Sequence, residues 1–132
     1  MNLADHARNY IGTPFQHQGR HPGRGLDCAG VVVCALRALG MSVNDRRSYR
    51  RVPPRWLLRD CLEQHGFVRA SGEQLDGDVL LFWLRNKRLE IHCGVACDGG
   101  LVHVEDGGRV HWAALTGWRH HLSDVLRLEA RS

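Results

Sequence analysis

The chain has 132 residues. That is enough for one domain with its own core and too few for a catalytic domain beside a separate targeting domain, so residues 1–132 are expected to form a single unit. With 43% apolar and 24% charged residues, the composition is that of a soluble globular protein. No apolar run approaches the roughly 20 residues of a membrane helix, and Met1-Asn2-Leu3-Ala4-Asp5-His6 lacks the basic and apolar regions of a signal peptide. The net charge of +4 is carried by arginine, Lys87 being the single lysine.

In chain order, Leu3 to Tyr10 reads as a short helix ended by Ile11-Gly12-Thr13-Pro14. A polar, glycine-rich loop follows, Gln16 to Gly25, of the kind that carries function on a surface. From Cys28 to Leu39 the apolar positions Cys28, Val31, Val32, Ala35, Leu36 and Leu39 form one helical stripe, with Asp27 as N-cap and Gly40 as the stop. Arg46, Arg47, Arg50, Arg51, Arg55 and Arg59 then cluster. Such a run is usually a solvated face, and the alternative is contact with phosphates or carboxylates. A second helix is expected from Pro54 to His65, with Pro54 at its first position.

The remainder reads as strands: Val79 to Leu84, a hairpin tip at Asn86-Lys87, Ile91 to Cys97, Leu101 to Glu105, Arg109 to Trp112, and Val125 to Leu128. Helices first and a strand meander after them predict an α+β fold, with N-terminal helices packed on one face of an antiparallel sheet.

Five cysteines with no pairing pattern suit a reduced chain of small buried thiols, one of which can be chemically special. Cys28 begins the best helix directly after the glycine-rich loop. Free N–H groups and the helix dipole favour thiolate there, and the same N–H groups can hold an oxyanion. Asp27 opposes this unless its carboxylate turns away to cap the helix. Position alone leaves open whether Cys28 is a reactive thiol or the first residue of the core stripe.

A thiol needs a base. His92 and His103 lie on neighbouring strands of one hairpin. By alternation His92 shares a face with Gly94 and Ala96, small residues that would admit a helix end, while Cys93, Val95 and Cys97 point the other way. His103 shares its face with Leu101 and Glu105. Two histidines on one side can act as base and orienter, although each alone is more often structural. His6, His65, His120 and His121 read as peripheral.

These residues together resemble the NlpC family of papain-like cysteine peptidases. The resemblance runs through Tyr10-Ile11-Gly12-Thr13-Pro14-Phe15, Leu26-Asp27-Cys28-Ala29-Gly30-Val31-Val32, Gly77-Asp78-Val79-Leu80-Leu81-Phe82, His92-Cys93-Gly94-Val95-Ala96 and Leu101-Val102-His103. It implies a papain-like fold and hydrolysis of peptidoglycan stem peptides, often between D-γ-glutamate and meso-diaminopimelate. By position, Cys28 is the implied nucleophile, His92 the base and His103 the orienting residue, with the Cys28 N–H in the oxyanion hole. Phe15 stands where many members carry a tyrosine whose hydroxyl faces the active site, and Gln16 or His17 is the candidate replacement. Cys93 fills a place usually aliphatic and reads as harmless. No cofactor and no metal is implied.

Short forms with a His-Gln-Gly-Arg loop before Leu-Asp-Cys resemble proteins encoded among phage tail genes. The expectation is therefore a protein made in the bacterial cytoplasm, assembled with other tail proteins into a phage tail tip, and acting in the host periplasm or wall. Neither a membrane nor a nucleic acid is an expected partner, because Tyr49 and Trp56 alone do not interleave the Arg cluster as a stacking platform. The rival readings are a structural tail-tip protein with little turnover, an amidase or acyltransferase using the same residues, and a zinc site built from Cys28, His92, His103 and Cys93. The last lacks metal-ligand spacing.

Overall fold

The computed structural model describes residues 1–50, 53–84 and 87–129. Arg51 of the arginine cluster and Asn86 of the expected hairpin tip lie outside them. Helix α1, Leu3–Arg8, starts in a reciprocal cap: the Asn2 side chain accepts from the Asp5 N–H at 3.0 Å, and the Asp5 carboxylate accepts from the Asn2 N–H at 2.8 Å. It ends two residues before Tyr10, and Leu3, Ala4 and Ala7 are buried.

The Gln16–Gly25 loop folds into a small ribbon, with β1 (Arg20–His21) antiparallel to β2 (Gly25–Leu26). It leads into α2, Cys28–Ala38, capped by Asp27 as expected. All residues from Cys28 to Leu36 are buried, including Val33 off the expected stripe. The helix is covered on more than its sheet-facing side. Gly30 shows how closely the chain packs there: a Cβ at that position would lie 2.2 Å from the Gly19 carbonyl oxygen. Helix α3 is Arg55–Gln64. Pro54 is its N-cap, with extended backbone, rather than its first helical residue.

The main sheet has six strands, β3 (Phe67–Arg69), β4 (Val79–Leu84), β5 (Lys87–Cys97), β6 (Gly100–His103), β7 (His111–Ala114) and β8 (Leu122–Leu128). Their order is β3-β8-β4-β5-β6-β7 and every neighbouring pair is antiparallel. The expected meander is β4 to β7. The last strand does not extend it but returns to the other side of β4, between β4 and the three-residue β3, which the sequence did not reveal.

Strand β7 begins two residues later than expected. Val110 is taken by the N-terminal segment instead: its N–H donates to the Thr13 carbonyl, and its carbonyl accepts from the Gly12 N–H, both at 2.8 Å. The sheet is apolar on both faces, which is why β4 reads as an unbroken apolar run. Val79, Leu81, Cys93, Val95, Cys97 and Val102 pack with α1 and α2. Leu80, Phe82, Ala96, Leu101 and Leu115 form a second layer, covered by Trp118, Leu122 and Val125. The helices therefore lie on one face, as predicted, and the chain around two short 3₁₀ turns, Leu115–Gly117 and Arg119–His121, covers part of the other. Among the described residues, no helix is long and apolar enough to cross a membrane.

Candidate active site

Cys28 sits at the first position of α2 and is 3% exposed. The neighbouring Asp27 carboxylate is turned into a nest of donors. Oδ1 accepts from the Gly30 N–H at 2.7 Å and from Arg20 Nη1 at 2.8 Å. Oδ2 accepts from the Gln18 N–H at 3.0 Å and, in a very short bond, from the Tyr49 hydroxyl. The carboxylate thus caps the helix, the orientation that a reactive Cys28 requires.

Arg20 is itself held by Asp45, from Nε at 2.8 Å. Burial disfavours the guanidinium charge, but Asp45, Asp27 and Tyr49 outweigh it and hold the group protonated. Burial and the Asp27 charge push the Tyr49 phenol up, so it stays a donor. Tyr49 stands within the arginine-rich segment, whose Arg46, Arg47 and Arg50 are exposed. Among the described residues, the segment is thus anchored to the start of α2 by its tyrosine. Sequence reasoning missed Arg20, Asp45 and Tyr49, because their association with Asp27 needs contacts far apart in the chain.

The Cys28 thiol is lowered to about 5. The largest cause is a hydrogen bond from the Cys93 thiol. Burial opposes it, a hydrogen bond and positive charge at His92 add to it, and Asp27 works weakly against it. Cys93 is raised well above the ordinary thiol range, by that same hydrogen bond and by burial, and therefore remains the donor. Burial also raises Cys34, Cys61 and Cys97. Cys28 alone of the five cysteines is shifted toward thiolate.

This corrects the reading of Cys93 as harmless. Alternation does turn it away from the face of His92, but the face it turns to is the one that packs on α2. Gly94, read as making room for a helix end, makes room for His103 instead: a Cβ there would lie 3.1 Å from His103 Cβ and 2.8 Å from Leu101 Cδ1.

His92 and His103 are 4% and 0% exposed. His92 Nε2 and His103 Nδ1 are 2.6 Å apart, which leaves His92 Nδ1 as the ring nitrogen available to Cys28. Trp118 stacks on His92, with centroids 5.0 Å apart and planes 27° apart, and meets His103 edge-on at 5.0 Å. It walls the pair without supplying a charge. Burial, followed by the charges of His92 and His111, pushes His103 down to about 3. His103 is therefore neutral, and its Nδ1 can accept from His92 Nε2–H. Its proton then sits on Nε2, a buried atom without a hydrogen-bond partner among the described residues. Trp118 and His111 carried no sequence signal. His111 meets His103 only through the β6–β7 register.

The candidate substrate residues Phe15, Gln16 and His17 lie where the chain enters the loop that leads to α2. Phe15 is half-buried against the main core, and its N–H donates to the Gly108 carbonyl at 2.9 Å. Gln16 is exposed and its side chain lies over Gly25, where a Cβ would fall 2.1 Å from Oε1. His17 is exposed and meets the Tyr49 ring edge-on at 5.8 Å.

A buried thiol at a helix start, facing a histidine pair on an antiparallel sheet, is housed here in the papain-like fold of NlpC/P60 proteins. An NLP/P60-family protein from Staphylococcus aureus, described as similar to lipoprotein, superposes with a TM-score of 0.69 at 22% identity, over 98% of this chain and 41% of that one. The NlpC/p60 domain of the peptidoglycan hydrolase SagA superposes with a TM-score of 0.62 at 22% identity, over 95% of both chains. The Tae3–Tai3 type VI effector–immunity complex from Ralstonia pickettii gives 0.59 at 18% identity, over 97% of both chains. In sequence, the probable endopeptidase YafL of Escherichia coli K12 is 24% identical over 127 residues, 89% of this chain and 45% of that protein. The chain thus spans less than half the length of this curated relative. No family profile matches it.

Proposed function

We propose that the protein is a cysteine peptidase of the NlpC/P60 type that hydrolyses peptidoglycan stem peptides, at the bond between D-γ-glutamate and diaminopimelate. The observation that carries this reading is the lowered Cys28 thiol beside His92, with His92 Nε2 on His103 Nδ1 at 2.6 Å. The Cys28 thiolate attacks the scissile carbonyl carbon, and helix N–H groups including that of Cys28 receive the oxyanion. His92 gives its proton to the leaving amine. It then takes one from water, which attacks the thioester, releases the new carboxyl end and restores the Cys28 thiolate beside protonated His92. The bond is the one that the sequence resemblance implies; SagA is a peptidoglycan hydrolase and YafL a probable endopeptidase.

The rival zinc reading is disfavoured by the direct contact of His92 with His103, which leaves no space for a metal between them. The experiment is mass spectrometry of muropeptides after digestion of purified peptidoglycan. The reading expects stems cut after D-γ-glutamate with matching new diaminopimelate amines. An unchanged muropeptide profile would sink it. Placement in a phage-type tail tip is supported by the loop resemblance around His17-Gln18-Gly19-Arg20, and recovery of the chain from purified tail particles is its test.

His103 acts through His92 by accepting one hydrogen bond, a role that an amide oxygen can also fill. His103→Ala is expected to lower kcat by about 10²-fold or more, by analogy with loss of a triad's orienting residue. His103→Asn or His103→Gln should restore part of that loss, with KM little changed. Equal losses in all three variants would show that the imidazole is needed for something other than acceptance.

A further inference from the structure

We propose that His103, Glu105 and His111 form a binding site for a zinc-type divalent cation, and that its occupancy switches off the histidine pair. One ligand atom from each residue lies within 4.8 Å of the other two. Zinc bonds to nitrogen and oxygen are about 2.0–2.2 Å long, so small side-chain rotations close this triangle on an ion.

Three features mark a built site. His103 is fully buried, and its Nε2 has no hydrogen-bond partner among the described residues. His111 Nδ1 lies 2.8 Å from the Arg109 carbonyl oxygen, which can only accept, so that nitrogen carries the proton and Nε2 carries a lone pair. This is the usual way a backbone carbonyl orients a metal-ligating histidine. Glu105 and His111 are exposed, which gives the ion a way in and leaves a position for water. Two imidazoles and one carboxylate suit zinc rather than calcium or magnesium.

The consequence for turnover rests on the cysteine-peptidase reading; the binding does not. An ion on His103 Nε2 needs the lone pair there, so the ring's proton moves to Nδ1. That nitrogen then donates to His92 Nε2, and the Nε2 proton of the active enzyme's His92 imidazolium is released to solvent. His92 is left neutral with its one proton on Nδ1, so it can neither hold the positive charge beside the Cys28 thiolate nor protonate the leaving amine without becoming an imidazolate. One proton is released for each ion bound, and the catalytic ion pair is lost.

The test is calorimetric titration of the chelator-treated full chain with Zn²⁺, followed by hydrolysis and thiol alkylation at each occupancy. We expect one Zn²⁺ per chain, and at least about tenfold weaker binding in both His111→Ala and Glu105→Gln, as befits loss of a ligand. Metal-free Glu105→Gln should keep its basal hydrolysis and escape inhibition at Zn²⁺ levels that silence the parent protein. Cys28→Ala should bind as tightly as the parent. Binding lost in Cys28→Ala would place the ion on the thiol and overturn the site. So would binding unaffected by both other variants, or no binding at all. Zinc bound at this site without any effect on hydrolysis would overturn the switch alone. Binding without hydrolysis in the metal-free protein would instead reject the peptidase reading and leave the site standing.

Discussion

Cys28→Ala is expected to abolish stem-peptide hydrolysis, by a factor on the order of 10⁴–10⁶, because a nucleophile removed from a cooperating set costs most of what the set provides. Cys28→Ser should fare little better. An alcohol is far harder to deprotonate than a thiol, and the Cys93 hydrogen bond that favours a thiolate does not make a serine alkoxide accessible near neutral pH. Both variants should keep the parent's thermal transition within a few degrees, since the change is one buried atom at a helix start. Hydrolysis rates on purified peptidoglycan, read beside melting curves, check the claim. Substantial turnover by folded Cys28→Ala would remove the nucleophile assignment.

The second large effect is expected at His92. His92→Ala should lower kcat by about 10²–10⁴-fold or more, the range for a positioned general base and acid. It has a second readout that a merely structural histidine would lack. His92 is one of the groups that lowers the Cys28 thiol, so its loss should move the thiol's titration upward from about 5. The shift should be incomplete, because the largest cause, the Cys93 hydrogen bond, remains. Loss of turnover with an unmoved thiol titration would mean that His92 supports the fold without facing Cys28. His92 packs against Phe82 and Trp118, so His92→Asn serves as the variant that leaves less of a cavity.

The parts of the fold legible in the sequence were those set by neighbours along the chain. The Asp27 cap, the α2 stripe from Cys28 and the strand alternation around His92 all depend on residues within a few positions of one another. What was not legible depends on register and return paths. β8 inserts beside β4, and nothing local in Leu122–Leu128 says which strand it will join. β7 slips two residues because Val110 prefers Thr13 and Gly12 as partners.

The same limit governs the site. The alternation that placed Cys93 opposite His92 was right, but the side chosen for the helix was wrong, and with it the meaning of Gly94 and Cys93. The network of Arg20, Tyr49 and Asp45 around Asp27 joins segments up to 29 positions apart. Its members look, in sequence, like part of a polar loop and a charged surface run. Trp118 and His111 reach the histidine pair from beyond the motifs that carried the family resemblance, so no spacing rule pointed to them.

The central claim is that the fold makes Cys28, alone of five cysteines, a thiolate nucleophile. The direct test is alkylation with a limiting, small thiol reagent across pH 4–9, with the labelled residue identified by peptide mass mapping. The account expects Cys28 to be labelled ahead of Cys34, Cys61, Cys93 and Cys97. Its rate should be sustained from neutral pH down to a midpoint near 5 and fall below it, since a thiol whose titration is lowered stays ionised until the pH drops through that value. Uniform labelling, an earlier reaction at another cysteine, or a Cys28 midpoint at the ordinary thiol value of about 8.5 would contradict it.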